Sequence, residues 1–281
     1  MRIAVLGMGR MGQALAGRLI DEGHEVAIWN RTAGRAADLL DRGAREPGSI
    51  HAALEGVELV MSILANDQAV RDVAWGEGGI RSGLPSGCAY ADCSTISPGL
   101  ADELDDDFPR FVAMPILGSP SQVASGQASY LIGAADSVAG AVEPLFPGLS
   151  EKTFRYYRPS TASVAKVTVN LLLLDGVVAL AESFAVGRAG GLTDGQLREL
   201  LGSSPMVAPG LRYRFEGVLT GEQETFWTTA LGAKDAGLAV DVAESAGVDL
   251  PVTAAVRDLY SQAADHADAE DIALVARRYR R

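Results

Sequence analysis

The chain has 281 residues, of which 48% are hydrophobic and 21% charged, a composition typical of a folded globular protein with one or two domains. Its 24 basic and 36 acidic side chains give a formal net charge of −12, which argues against nonspecific binding to nucleic acid or to an anionic membrane. The two cysteines and three histidines are not spaced as metal ligands, so we predict no metal site.

The chain opens with a short apolar run, residues 3–6, that predicts a strand and leads directly into the sequence GMGRMG. The spacing GxGxxG between a strand and a helical pattern is typical of dinucleotide-binding folds. Its first glycine permits a tight turn, the second lets the backbone approach a pyrophosphate, and the third lets the helix pack on the strand. We therefore predict a cofactor site formed by Gly7, Met8, Gly9, Arg10, Met11 and Gly12.

The second predicted strand, residues 25–29, ends where such folds bind the ribose of the cofactor. An acidic residue there would accept a hydrogen bond from a 2′-hydroxyl group and would repel a 2′-phosphate. This chain has Asn30-Arg31-Thr32 instead, and the Arg31 guanidinium can donate two hydrogen bonds to a phosphate. The three residues predict NADP(H) in preference to NAD(H); a solvated surface arginine is the alternative for Arg31.

Strand-like and helix-like segments alternate up to about residue 157. This alternation predicts an α/β fold with a Rossmann-like, doubly wound and mostly parallel sheet, which binds ligands beyond the carboxyl ends of its strands. The first domain is accordingly predicted over 1–157. Helices are predicted over 35–40 and 67–73, and further strands over 57–64, 89–93, 111–114, 129–132 and 154–157.

A second domain, residues 158–281, is predicted to be all-α and to begin with a long helix over 164–189 that stops at two glycines. The leucines at 171–174 make this helix apolar nearly all round, so it calls for burial on several sides. A second subunit can supply that cover, and we expect a homodimer or homotetramer. Later helices are predicted over 193–201, 227–246 and 251–264.

The longest apolar run, 169–181, is interrupted by polar residues and glycine and is predicted to fall short of a membrane span. Because the chain begins almost directly with its first strand, we also expect no signal peptide. These two features together predict a cytoplasmic protein whose partner is a small-molecule substrate, without a nucleic-acid or membrane partner.

Two polar residues, Lys166 and Asn170, share one face of the long apolar helix near the domain junction. A lysine in a cleft against the nucleotide domain would lose hydration, which lowers its pKa towards the range useful for general acid catalysis. In a carbonyl reduction it would protonate the oxygen, and Asn170 would orient the substrate. From the spacing alone, a lysine that extends along the helix start into solvent is the favoured alternative.

Further polar groups follow the carboxyl ends of two predicted strands, here called strand exits, and others lie in one later helix. Residues 92–98, DCSTISP, offer Ser94, Thr95 and Ser97 either as helix caps or as ligand contacts. Residues 115–120, PILGSP, form either a rigid turn or a loop that presents backbone N–H groups to a substrate. The Lys234-Asp235 pair is interpreted as an exposed ion pair.

The motifs taken together resemble the β-hydroxyacid dehydrogenase family, which includes 3-hydroxyisobutyrate dehydrogenases and glyoxylate/succinic semialdehyde reductases. They follow the family order over nearly the whole chain, which makes the set far more specific than any single motif. The matching segments are GMGRMG at 7–12, WNRT at 29–32, DCSTISP at 92–98, SVAKVTVN at 163–170 and GAKDAGLA at 232–239.

The resemblance implies a Rossmann-like domain joined by a long helix to an all-α domain, and an NADP(H)-dependent oxidoreductase. Its reaction would transfer hydride between nicotinamide and a small aldehyde or keto acid, or its hydroxy counterpart. Lys166 would be the catalytic acid or base, in place of the solvated lysine, and Asn170 would orient the substrate. The resemblance further assigns Ser94 to the substrate, and Leu64, Thr95 and Lys234 to the cofactor.

The family resemblance is weakest at the substrate loop. Many members have a PVSGG-like loop whose serine holds the substrate carboxylate, whereas this chain has Leu117 there. A leucine side chain cannot donate that hydrogen bond, and the backbone N–H groups of Gly118 and Ser119 are the remaining donors expected to bind an anion. We predict that these three residues contact the substrate. The substrate can be an anion bound by the backbone N–H groups or, equally well, a bulkier or less acidic compound.

Two other functions stay open. Imine reductases, which act on C=N bonds, share a similar N-terminal sequence, but they usually lack a lysine at the position of Lys166. A non-catalytic NADPH-binding module is the second alternative, and the intact pair of Lys166 and Asn170 argues against it.

Overall fold

The structure, a computed structural model, describes residues 1–267 and 270–279. The chain forms two compact units, Met1–Lys166 and Val167–Arg281.

The first unit is built on an eight-stranded sheet in the order β2-β1-β3-β4-β5-β7-β6, with β8 paired to β7. The pairs among β1 to β5 are parallel, whereas β7 runs antiparallel to β5 and β6. The chain goes from β1 to β2 on one side and returns to β3 on the other, a reversal that opens a crevice at the carboxyl ends of β1 and β3. The strands are β1 Arg2–Leu6, β2 Glu25–Trp29, β3 Leu59–Ser62, β4 Ala89–Asp92, β5 Phe111–Ala113, β6 Ile116–Leu117, β7 Ala128–Gly133 and β8 Ser150–Tyr156.

Apolar residues on both faces of this sheet are buried. Ile3 and Val5 of β1 belong to one buried cluster, and Ala4 and Leu6 belong to another, because successive strand side chains point to opposite faces. A central strand covered on both faces carries a continuous apolar run, as residues 3–6 of β1 do. The helices of this unit are α1 Arg10–Asp21, α2 Ala37–Asp41, α3 Ile50–Leu54, α4 Asp67–Trp75, α5 Ile80–Gly83, α6 Pro98–Asp107, α7 Pro120–Ala124, α8 Asp136–Ala139 and α9 Phe146–Leu149, with a 3₁₀ turn at Glu143–Leu145.

Helix α10, Pro159–Ala189, leaves the first unit and continues into the second, which is helical throughout its described residues. The core of the second unit contains Leu174, Val177 and Phe184 of α10 together with Val218 and Tyr260. Its other helices are α11 Asp194–Ser203, α12 Pro209–Arg212, α13 Phe215–Thr220, α14 Thr229–Ser245 and α15 Pro251–Ala267, followed by a 3₁₀ helix at Ile272–Tyr279.

The predicted fold class is confirmed: a Rossmann-like, mostly parallel sheet is followed by a long helix and a helical C-terminal part. Several short elements were not predicted; α3 and β6 are examples, because five and two residues are too few for a clear periodic pattern. The long helix begins at Pro159, five residues before its predicted start, since proline is compatible with a first helical turn.

Its own chain covers the apolar surface of α10 only in part, because Leu172 and Val186 are each 73% exposed. That a second subunit supplies the remaining cover stays a prediction. By length and composition alone α10 is long and apolar enough to cross a membrane, contrary to the prediction that its apolar run falls short of a span. Core helices of globular proteins meet the same two criteria, and part of α10 is buried within the structure.

Candidate active site

The three motif glycines differ in the space around them. A Cβ atom on Gly7, whose φ is +106°, would lie 2.3 Å from the carbonyl oxygen of Ile63, and one on Gly12 would lie 1.8 Å from that of Gly7. Around Gly9, by contrast, no atom of the described residues lies within 4 Å of the corresponding position. Gly7 and Gly12 therefore hold the turn closed, whereas Gly9 leaves its outer side open for a ligand.

The start of α1 offers backbone N–H groups, since Gly9 precedes it as N-cap and no side chain among the described residues caps it there. Arg10 is exposed and Met11 half-buried in this first turn. The partial positive charge of a helix start favours a phosphate at this place.

Asn30 ties the end of β2 to the glycine loop. Its Oδ1 accepts a hydrogen bond from the backbone N–H of Met8 at 3.1 Å, and its Nδ2 donates one to the carbonyl oxygen of Thr32 at 2.8 Å. Met8 is buried, so it shapes the loop, and its N–H is already bonded to protein. Arg31 and Thr32 are exposed beside this junction. The sequence predicted a missing negative charge at Asn30 but not its bracing of the loop.

The exits of β3 and β4 are joined by side-chain hydrogen bonds. The backbone N–H of Leu64 donates to Oγ of Ser94 at 2.8 Å, and Ser94 Oγ donates to Oδ1 of Asp92 at 2.8 Å. Asp92 also accepts from Ser62 Oγ at 2.5 Å. The structure thus brings Leu64, Ser94 and the half-buried Thr95 together at one edge of the sheet. Asp92 was not predicted as a site residue, although an acidic residue that ends a buried strand is an available signal.

Burial raises the pKa of Asp92 to about 6, and the hydrogen bonds from Ser62 and Ser94 limit that rise. Ser97, in contrast, serves as a cap. Its Oγ accepts from the backbone N–H of Leu100 at 3.2 Å at the start of α6, and its own N–H and hydroxyl bind Asp67.

The ammonium group of Lys166 lies against the short strand β6. Its Nζ donates to the carbonyl oxygen of Ile116 at 2.6 Å, and the side chain is half-buried. The next residue, Leu117, is half-buried as well. The predicted catalytic lysine is therefore adjacent to the backbone of the predicted substrate loop.

The polar groups of the loop after β6 form hydrogen bonds with one another. The backbone N–H of Ser119 donates to Oε1 of Gln122 at 2.9 Å, while Ser119 Oγ accepts from the Gln122 N–H at 3.3 Å, which is a capping box at the start of α7. Ser119 Oγ also lies 2.8 Å from Oγ of Ser121. The Ser119 N–H is used by this cap, so an anion would have to displace the Gln122 side chain to reach it, and the predicted contact stays a prediction. Gly118 is exposed and Leu117 presents an apolar side chain.

A second polar group lies within the C-terminal unit. Nδ2 of Asn170 donates to Oδ2 of Asp235 at 2.9 Å, and the other carboxylate oxygen lies 2.6 Å from Nζ of Lys234. Asp235 is 4% exposed, so the predicted exposed ion pair is instead a largely buried carboxylate that holds both partners. The sequence singled out Asn170 and Lys234 but missed the role of Asp235 between them.

The site residues thus fall into two groups, with Lys166 and Asn170 one turn apart on α10. A glycine loop at a helix start, a sheet crevice and a half-buried lysine define the class of NAD(P)-dependent oxidoreductases.

Two family descriptions match: the NAD binding domain of 6-phosphogluconate dehydrogenase over residues 2–157, and NAD-binding of NADP-dependent 3-hydroxyisobutyrate dehydrogenase over 160–279. The chain belongs to the β-hydroxyacid dehydrogenase family of NAD(P)-dependent oxidoreductases, as its sequence motifs predicted.

Similar proteins extend over most of the chain. An uncharacterized oxidoreductase of Bacillus subtilis, YfjR, is 31% identical over 90% of both proteins. The chloroplastic glyoxylate/succinic semialdehyde reductase 2 of Arabidopsis thaliana is 26% identical, and the matched region spans 93% of this chain and 74% of the reductase.

Solved structures show the same fold. A 3-hydroxyisobutyrate dehydrogenase from Salmonella typhimurium superposes with a TM-score of 0.90 at 20% identity and covers 99% of each chain. An imine reductase of Streptomyces aurantiacus gives a TM-score of 0.66 at 22% identity over both complete chains. The prediction that imine reductases are relatives in fold is confirmed.

Proposed function

We propose that this protein is an NADP(H)-dependent reductase or dehydrogenase that interconverts a small aldehyde or keto acid and its hydroxy counterpart, with Lys166 as the general acid or base. The observation that carries the proposal is the half-buried Lys166 ammonium, which is hydrogen-bonded to Ile116 at the end of the family's nucleotide-binding sheet. A proton donor is the component that a dinucleotide site alone does not supply.

The residues at the glycine loop fit a dinucleotide. Gly9 leaves space for a pyrophosphate, and the uncapped start of α1 favours its charge. Asn30 brings no negative charge to the end of β2, and the exposed Arg31 can pair with a 2′-phosphate. These two residues support NADP(H) over NAD(H).

Bound nicotinamide supplies the hydride in reduction. A lysine ammonium carries three N–H donors, and Lys166 directs one of them to the carbonyl oxygen of Ile116. In our mechanism Lys166 gives a proton to the substrate oxygen in reduction and takes it back in oxidation. This general acid–base contribution is typically about 10²- to 10⁴-fold in rate.

Asn170 and Lys234 are proposed to hold substrate and cofactor respectively, as in the family. Within their unit Asp235 accepts the Asn170 amide and pairs with the Lys234 ammonium. A single buried carboxylate therefore orients both side chains. It binds Asn170 through the amide nitrogen, so the side-chain carbonyl oxygen of Asn170 takes no part in this bond.

A reductase of C=N bonds is the second candidate, favoured by the likeness in fold to imine reductases and by the apolar Leu117. The experiment that separates the candidates follows NADPH consumption with glyoxylate, succinic semialdehyde and a cyclic imine, each with native protein and with Lys166→Ala. Turnover of the carbonyl compounds that depends on Lys166 is the expected result. Turnover of the imine alone would contradict the carbonyl assignment, and tight NADPH binding without any turnover would indicate a binding module.

We also propose that the protein self-associates and has neither a nucleic-acid nor a membrane partner. Leu172 and Val186 remain exposed on α10, and a second copy of the chain would remove them from water. Light scattering is expected to give at least twice the chain mass of 29.3 kDa. A Leu172→Glu variant should shift that mass towards one chain, and an unchanged monomeric mass for the native protein would contradict the proposal.

A further inference from the structure

A buried chain of hydrogen bonds lies beneath the exits of β3 and β4. Ser62, Tyr90, Asp92 and Ser94 are each at most 3% exposed. Tyr90 OH lies 2.8 Å from Ser62 Oγ, both serine hydroxyls donate to Oδ1 of Asp92, and Ser94 accepts the Leu64 N–H. All of these residues belong to the first unit.

The carboxylate of Asp92 determines where the hydroxyl protons of Ser62, Ser94 and Tyr90 point. An ionised carboxylate only accepts, so the single protons of Ser62 and Ser94 both point at Asp92. Tyr90 must then donate to Ser62, and Ser94 has only lone pairs left for the Leu64 N–H and for one further donor. The orientation of every hydroxyl proton in the chain therefore depends on one group, Asp92.

The backbone ladder between the two strands ends just before this point. Its last bond runs from the N–H of Cys93 to the carbonyl oxygen of Ser62 at 2.7 Å. Beyond it, the bond between Leu64 and Ser94 ties the two strand exits through a side chain. The Leu64 N–H is always the donor of that bond, and Asp92, by accepting the Ser94 proton, holds the Ser94 hydroxyl in the orientation that keeps a lone pair towards Leu64.

We propose that Asp92 is a positioning residue of the reductase site, which orients Ser94 as a hydrogen-bond acceptor and thereby fixes the exits that carry Leu64 and Thr95. This inference rests on the proposed function and on the family resemblance, which assigns those two residues to the cofactor. Asp92 itself contacts neither cofactor nor substrate in this scheme and acts through Ser94.

The cost of keeping a carboxylate here supports a functional role. Its second oxygen, Oδ2, is buried and has no hydrogen-bond partner within residues 1–267 and 270–279. Burial raises the pKa of Asp92 to about 6, and the nearby Asp67 at the start of α4 raises it further. Because this pKa exceeds the ordinary value of 3.8, ionisation of Asp92 lowers the stability of the folded state as the pH rises through 6. A neutral residue would avoid that cost.

The neighbouring titratable groups do not share this transition. Burial raises the pKa values of Tyr90 and Cys93 well above their ordinary range, so both stay protonated near pH 6. Asp67 carries the other charge that faces Asp92. We therefore expect a loss of site order below about pH 6 that belongs to Asp92.

The test uses Asp92→Asn in the full chain, since asparagine keeps an accepting oxygen without a charge. We expect kcat/KM with NADPH to fall about tenfold or more, as for a lost hydrogen bond to a charged group, with the NADPH dissociation constant changed less than about threefold. The step in the native pH profile near 6 should vanish. A protonated-carboxyl infrared band should grow in the native protein between pH 7 and 5 and be missing from the variant.

Three further variants keep the test decisive. Ser94→Ala should show the same kinetic defect while the infrared band remains, and it also serves if Asp92→Asn does not fold. The double variant should lose no more than the worse single variant, because both act in one chain of bonds. Asp175→Asn, a control at a half-buried aspartate whose Oδ1 is buried and has no hydrogen-bond partner among the described residues, should keep the pH step.

Failure of this inference differs from failure of the proposed function. A pH step that persists in Asp92→Asn, or an infrared band absent from the native protein between pH 7 and 5, would overturn the role of Asp92. If the native protein reduced no carbonyl compound, the proposed function would fail, whereas the infrared titration would still report on Asp92.

Discussion

The side-chain nitrogen of Lys166 donates a hydrogen bond to the backbone carbonyl oxygen of Ile116 over 2.6 Å. This bond connects α10 to β6, immediately before Leu117, the residue that replaces the family's carboxylate-binding serine. The amine is thereby held next to the loop where a substrate is expected. Its acceptor is a backbone atom, so the contact depends on the local fold and persists whatever side chain occupies position 116.

Removal of the Lys166 amine should abolish turnover but leave cofactor binding. We expect Lys166→Ala to lower kcat by about 10²- to 10⁴-fold, because the substrate oxygen loses its proton donor. The NADPH dissociation constant, measured by fluorescence titration, should change little. Lys152→Ala, at an exposed lysine in β8, is the control and should keep full activity. A kcat near the native value in Lys166→Ala would refute the assignment.

Cofactor preference should depend on Arg31. Arg31→Ala is expected to weaken NADPH by about tenfold or more while NADH affinity hardly changes, since only NADPH carries a phosphate for the guanidinium. Calorimetry with both cofactors measures the ratio. Arg110→Ala, at an exposed arginine before β5 and thus at the opposite edge of the sheet, should leave both affinities unchanged. Equal losses for the two cofactors in Arg31→Ala would break the 2′-phosphate assignment.

Two glycine substitutions should separate folding from binding. Gly12→Ala would place Cβ 1.8 Å from the Gly7 carbonyl oxygen, so we expect a clear drop in melting temperature. Gly9→Ala meets no atom of the described residues within 4 Å, so its melting temperature should stay near native while NADPH binding weakens. The opposite ranking of the two melting temperatures would contradict the roles given to these glycines.

The buried carboxylate of Asp235 should act through its two partners. Asp235→Asn removes the charge that holds the Lys234 ammonium and the Asn170 amide, and we expect kcat/KM to fall about 10- to 100-fold. Asp241→Asn, on the exposed side of the same helix α14, is the matched control. Native kinetics in Asp235→Asn would show that the pair orients itself without this carboxylate.

Breaking a buried ion pair should cost far more stability than breaking an exposed one. Arg214 and Asp271 are 2% and 0% exposed, with Nε and Oδ1 3.2 Å apart, and Asp271 also accepts from the backbone N–H groups of Phe226 and Trp227. Asp271→Asn leaves a buried guanidinium without its counter-charge, so the free energy of unfolding should fall by about 3–5 kcal/mol.

Denaturant titration measures this loss, and the exposed pair of Arg198 and Glu216 provides the control. Glu216→Gln should change stability much less, because water screens that pair. Similar losses in the two variants would mean that burial does not decide the contribution of the pair to stability.

Features that depend on neighbours along the chain could be predicted from the sequence. The strand, glycine loop and helix of residues 2–21 follow from local spacing, and the apolar run of β1 indicated a sheet covered on both faces. The five-residue α3 and two-residue β6 were missed, because so short a segment carries no periodicity and is held by its neighbours.

What the sequence by itself determined is the class of cofactor, the family and the residue types of the site, because these depend on motif spacing. Only the tertiary structure decided what each polar group binds. Lys166 meets a carbonyl 50 residues away and Asn170 a carboxylate 65 residues away, and the Ser119 N–H is used by a helix cap. A hydrogen bond depends on distances of about 3 Å and on direction, and only the packed fold sets these between residues far apart in the chain.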